Sequence, residues 1–309
     1  LVGVGSGVPL GYEGPMVFFG GALGSALARW WQVRLRWTVL AGGAAAVSMV
    51  IGTPLGGALF ASEVARRGLP DRRDLFPLAL GATAGGAVLV ATGSPLGVVG
   101  APIAAGWTTV LVPGLIIGAV CGAAGRAFVT AIRWAKSTDI SLLRRAVLVA
   151  LVLLTATTLG WVLTDQAIFL GSGERLRPWA ASASVPAVLA ATLVFALLVV
   201  VLVGGGVVGG LFLPLVSLGA LVGGVVARAW LPSAPLAVAT AVGAASMLAA
   251  GYGTSLTAAA LLLATTGWSS ATAVGLAAIV VASTIAGDRS VSIFQLPRRS
   301  FAFRTHVRS

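Results

Sequence analysis

Glu13 is the residue of this sequence best placed to do chemistry. It stands in Gly11-Tyr12-Glu13-Gly14-Pro15, within a long apolar stretch. A carboxylate deep in such a stretch costs about 2.5–3.5 kcal/mol on insertion scales, which makes it a functional candidate from the outset. Gly14-Pro15 opens a helix, with proline in the first turn where its missing N–H does no harm. The carboxylate is then next to the free N–H groups and positive dipole end of a helix, an arrangement that holds anions. An ionised Glu13 can fill that place itself and exclude a dissolved anion, whereas a protonated one has no reason to stay. Burial favours the neutral form and the helix terminus the charged one. The two nearly cancel, so the group is expected to remain titratable. The plainer reading is a glutamate that only caps a helix.

The same pattern is written a second time. Gly210-Leu211-Phe212-Leu213-Pro214 is followed by Gly219, Gly223 and Ala227-Arg228; the first copy is followed by Gly20, Gly24 and Ala28-Arg29 at the same offsets from its proline. Further on, Gly-Thr-Pro-Leu from Gly52 answers Gly-Thr-Ser-Leu from Gly253. Two residues before the proline, Glu13 faces Phe212. Duplicated, glycine- and proline-broken segments point to a substrate site between two repeats. One wall would be Gly11, Gly14 and Pro15, the other Gly210, Leu211, Phe212, Leu213 and Pro214. Their backbone amides would bind a small anion without a full positive charge to trap it.

The rest of the chain must place these helix starts inside a membrane. Of its 309 residues, 58% are hydrophobic and only 9% charged, against about 25% charged in a soluble domain. Long continuous apolar runs without two-residue alternation make it an all-α membrane protein rather than a barrel. Apolar runs and turn residues predict helices near 15–30, 38–50, 54–65 and 75–93, then 109–134, 142–164, 184–203, 211–230, 235–250, 256–266 and 271–286, with a last segment from about 290. Several are too short for the roughly 20 residues of a full crossing, as expected of broken and tilted helices. The net charge of +12 gathers in short loops around 66–74 and 133–145 and in the tail at 298–308. Topology explains it, and a nucleic-acid partner is not expected. These regions read as cytoplasmic. The loop at 266–271 is uncharged where its first-copy counterpart is arginine-rich, so the repeats should be inverted in the bilayer. The expected layout is a first repeat over 1–93, an external loop over 94–108, a second repeat over 109–288 and a basic cytoplasmic tail over 289–309. The opening at Leu1, in mid-motif and without methionine, reads as an amino-terminal truncation.

Taken together, Gly11-x-Glu13-Gly14-Pro15, Gly210-x-Phe212-x-Pro214, Thr53-Pro54-Leu55-Gly56 leading to Phe60 and Glu63, and Thr254-Ser255-Leu256-Thr257 resemble the CLC chloride channels and chloride/proton antiporters, in order and spacing, from Gly5 to about Ser292. The resemblance implies a CLC-type inverted repeat, a homodimer in the cell membrane with one anion pathway per subunit, a gating role for Glu13, and an anion site lined by Phe212 and its neighbours. It carries chloride or another small anion, possible coupling to protons, and no cofactor or enzymatic activity.

Several positions depart from that family pattern. Tyr12 stands where relatives usually carry Lys or Arg. Val64 stands where antiporters carry an inner proton-relay glutamate, which leaves Glu63 as a substitute proton acceptor or, alternatively, as a partner of Arg66 or Arg67. The anion-coordinating tyrosine of the last helix falls at Val291 or Ser292, and Ser292 could still offer a hydroxyl. Gly5-Ser6-Gly7-Val8-Pro9 looks like the family's first anion motif but abuts Gly11, so Ser6 reads as a decoy. Asp165, Glu174, Arg175 and Arg177 read as a solvated mixed-charge loop, and Cys121 is alone, without a disulfide or metal partner. Channel-like conduction, proton-coupled exchange, fluoride/proton antiport and a non-transporting scaffold all remain compatible with these residues.

Overall fold

The computed structural model describes residues 7–66, 70–93, 103, 105–138, 141–288 and 290–291. Among them every regular element longer than an isolated bridge is a helix. The first group is α1 (Glu13–Trp31), α2 (Leu35–Ile51), α3 (Pro54–Arg66) and α4 (Arg72–Ala91). Then come α5 (Trp107–Ser137), α6 (Leu142–Thr164), α7 (Leu176–Ser182) and α8 (Val185–Gly204). The last group is α9 (Phe212–Trp230), α10 (Leu236–Tyr252), α11 (Ser255–Thr266) and α12 (Ser270–Ala286).

Five helices, namely α4, α5, α6, α8 and α9, are long and apolar enough to cross a membrane. By contrast α3 and α11, of 13 and 12 residues, rise only about 20 Å, short of the ~30 Å hydrocarbon core. Alone they are too short to cross it, as the sequence led one to expect. Trp30, Trp107, Trp161, Trp230 and Trp268 are exposed near helix ends, where an interfacial belt would lie.

The packing follows the duplication. In the first group α2 is the hub, touching α1, α3 and α4; in the last, α10 touches α9, α11 and α12. Contact between α3 and α11 joins the first and last groups, while α5 and α8 pack on the last group, α5 lying on α10, α12 and α9 and α8 on α9. Bare glycine backbones set the hub contacts: a Cβ on Gly20 would strike the Gly42 carbonyl of α2, and one on Gly219 the Gly243 carbonyl of α10. The small-residue pairs therefore act as close-packing surfaces. Gly52 and Gly253 end the two hub helices with the same left-handed φ of 75°, a conformation glycine adopts without a Cβ clash.

One region differs from expectation. The segment from Asp165 to Arg177 is not simply a solvated loop. Gly171 N–H donates to the Gly7 carbonyl at 2.9 Å and Ser217 Oγ to the Ser172 carbonyl at 2.8 Å. The segment ends in α7, whose Leu176 is fully buried, although Asp165, Glu174, Arg175 and Arg177 stay exposed. Ile168, Phe169 and Leu176 draw the backbone onto the core while the charges between them face outward. Short, charge-interrupted apolar spacing hides such a turn from a search for long runs.

Candidate functional site

The two copies of the proline motif meet. Gly11 and Gly210 form an antiparallel bridge, Gly11 N–H donating to the Gly210 carbonyl at 2.8 Å and Gly210 N–H to the Gly11 carbonyl at 2.6 Å. This pairing fixes the starts of α1 and α9 against one another. Only bare backbone allows it: a Cβ on Gly14 would lie 3.3 Å from the Gly210 Cα, and one on Gly11 or Gly210 would run into the Glu13 carboxylate. The glycines around each proline thus serve close approach.

Neither helix caps itself. Tyr12 and Leu211 occupy the N-cap positions without a side-chain hydrogen bond, so the first N–H groups of both helices need partners from elsewhere. Glu13 provides one for the sister helix. Its Oε1 accepts a hydrogen bond from the Leu213 N–H in the first turn of α9. The side chain is 1% exposed, and Oε2 is buried with no hydrogen-bond partner among the described residues. Glu13 thus caps the sister helix, as the plainer reading has it, but across the boundary between the two motifs. The exposed Glu174 carboxylate lies within electrostatic range of Glu13 and Tyr12, a neighbour that sequence inspection did not connect to the site.

Phe212 is buried beside this contact. Its ring meets Phe60 of α3 edge-on, centroids 5.4 Å apart, and Tyr252, the last residue of α10, lies 5.2 Å from Phe60 and 6.5 Å from Phe212. Three elements from both repeats thus converge on one aromatic cluster, an arrangement favourable beyond the area it buries. Tyr252 was missed from the sequence. The available signal was its rarity, as one of 2 tyrosines in the chain, directly ahead of the second Gly-Thr motif. A cavity of about 740 Å³ runs along α9, its lining including Phe212, Leu213, Val216, Arg177 and Arg228. Arg228, the counterpart of Arg29, donates to the Ala183 carbonyl at 2.9 Å.

Glu63 is also placed. Its carboxylate reaches the start of α11, where Oε1 accepts from Leu256 N–H at 2.8 Å, and Oε2 accepts from Thr257 N–H at 2.9 Å and from Thr257 Oγ1 at 2.6 Å. Arg67 and the Arg66 side chain, its alternative partners, lie outside the described residues, as do Ser6 and Ser292. Val291 is described and fully buried among apolar side chains. Ser290 Oγ donates to the Tyr252 carbonyl, which brings the end of the described chain back to the aromatic cluster. Among the described residues no group of His, Cys, Asp and Glu could hold a metal ion.

Comparison with known proteins agrees with this architecture. A family model described as voltage gated chloride channel matches residues 1–287. A CLC-type fluoride/proton antiporter superposes with a TM-score of 0.73 at 24% identity, over 93% of this chain and 72% of its own. A slow cyanobacterial Cl⁻/H⁺ antiporter gives 0.73 at 19% identity, over 98% and 73%. A eukaryotic CLC transporter gives 0.73 at 21% identity, over 94% of this chain and 53% of its own. No curated protein sequence matches the chain.

Proposed function

We propose, for a chain that belongs to the voltage-gated chloride channel (CLC) family, that Glu13 is the outer gate of a pathway for chloride or a similar small anion. Members of the family move anions as channels or antiporters, and the membrane-length helices make this a multi-pass membrane protein. The observation that carries the gating proposal is the Glu13 carboxylate itself. One oxygen rests on an N–H at the start of α9 and the other is buried without a partner. A half-satisfied buried carboxylate is costly, so it is poised to give up its seat. A dissolved anion would take the same amides, supplied by the segments from Gly11 to Pro15 and from Gly210 to Pro214. Protonation removes the charge that competes for them, so anion flux should rise as pH falls.

The test is anion efflux from vesicles holding the full-length protein, measured from neutral to acidic pH. Flux should climb on acidification in the wild type and be high and nearly flat in Glu13→Gln. A Glu13→Gln protein that keeps the wild-type pH response overturns the proposal. Val64, which cannot take a proton where family antiporters carry a relay acid, favours uncoupled flux; fluoride/proton exchange is a second reading, since a CLC-type fluoride/proton antiporter shares this fold. Proton movement driven by a chloride or a fluoride gradient separates the two, and its absence under both leaves channel-like conduction. The wider assembly proposed is a homodimer in the cell membrane with the basic tail at 298–308 on the cytoplasmic side, by the positive-inside rule.

A further inference from the structure

We infer that Glu63 is a positioning residue: it fastens α3 to the start of α11 and thereby holds Phe60 against Phe212 at the gate. The donors around it make the case. Thr254 occupies the N-cap of α11 without a side-chain cap, and its Oγ1 is buried without a partner among the described residues. The opening N–H groups of α11 are instead taken by Glu63, through three bonds of 2.6–2.9 Å that use both carboxylate oxygens. Hydrogen bonds to a carboxylate at a helix start are among the stronger ones available. All three bonds are donated to Glu63, and two of the donors are backbone N–H groups that cannot take on a proton, so the arrangement suits a fastener.

The fastener bears on the gate through Phe60. Phe60 lies three residues before Glu63, a spacing that puts both on one side of α3. It packs edge-on to Phe212 at 5.4 Å and lies 5.2 Å from Tyr252, which precedes α11 by a short Gly253-Thr254 link. The aromatic contact and the carboxylate contact are two points of a single crossing between α3 and the α10–α11 corner. Releasing one lets the other slip, and Phe212 is the neighbour of Leu213, on which Glu13 rests. The effect on flux rests on the gating proposal above; the fastening itself does not.

The experiment uses the full-length protein with Glu63→Ala, Glu63→Asp, Thr257→Val, Thr257→Ser and the double Glu63→Ala/Thr257→Val. The thermal midpoint in detergent should fall by several degrees in Glu63→Ala and in Glu63→Asp, whose acid is one methylene too short to reach. It should fall less in Thr257→Val and hold at the wild-type value in Thr257→Ser, which keeps the hydroxyl. The double variant should be no worse than Glu63→Ala. In vesicles, Glu63→Asp and Thr257→Val should both shift the flux ratio of a large to a small anion, while Thr257→Ser leaves it unchanged. Strictly additive losses in the midpoint overturn the inference. So does a Glu63→Asp protein with wild-type midpoint, anion ratio and proton movement, the result a relay acid would give. Should the wild type carry no anion at all, the gating proposal fails, and the midpoint comparison still decides the fastener.

Discussion

Glu13 and Glu63 leave the first repeat in the same way, each ending on the start of a helix in the second, yet they are held differently. Glu63 meets three donors and leaves no oxygen idle. Glu13 meets the Leu213 N–H and buries its second oxygen without a partner. The difference lies in the helix each one caps. Thr257 adds a hydroxyl to the backbone donors of α11, whereas the first turn of α9 reads Phe212-Leu213-Pro214, all without a side-chain donor and with a proline lacking its N–H. The same electrostatics of a helix terminus thus gives a tight fastening where polar side chains support it and a loose seat where they do not. A gate needs the second kind.

The largest blow to the comparison should come from Phe60→Ala, which removes the ring between the two crossings. Loss of a buried Phe costs about 3–5 kcal/mol, so a large drop in the thermal midpoint in detergent is expected, together with altered anion selectivity in vesicles. Gly210→Ala comes next. Its Cβ would intrude on the Glu13 carboxylate and lie 2.9 Å from the Gly14 nitrogen. Overpacking of this kind costs about 1–3 kcal/mol. Eviction of the carboxylate should also flatten the pH dependence of flux toward that of Glu13→Gln, and unchanged gating would mean the seat tolerates the methyl. Thr254→Val should do least. An N-cap threonine is ordinarily worth about 1 kcal/mol, but here Glu63 has taken its task and the hydroxyl is unpaired. The thermal midpoint should hold or rise slightly; a fall of the ordinary size would show that Thr254 does cap α11.

The sister helices α1 and α9 make a similar point about burial. Their glycines and Ala-Arg pairs match position for position, and Gly20 and Gly219 pack against their hub helices alike. Yet α1 exposes Phe18, Phe19 and Leu23, while at the matching positions α9 buries Ser217 and Leu218 and half-buries Val222. The cause is external to both helices: α5, α7 and α8 lie on α9. Apolar periodicity says little about such coverage in a membrane helix, because faces toward lipid and toward protein are both apolar.

Much was legible without coordinates. Eleven of the twelve helices fall close to their expected places, because glycine, proline and charge mark the ends of apolar runs strongly. The repeat, the helix starts at Glu13 and Phe212 and the acid at the first of them were plain from residue types at fixed offsets. The short α7, the aromatic role of Tyr252 and the nearness of Glu174 to Glu13 were not, since each depends on residues far apart in the chain. The sequence by itself determined that a carboxylate and two proline-led helix starts would lie within a membrane, since composition and local backbone preference act over a few residues. Only the tertiary structure decided that Glu13 rests on the helix of the opposite repeat and that Glu63 fastens a second one. Which N–H groups are left unpaired, and which distant acceptor reaches them, is settled by how the helices cross.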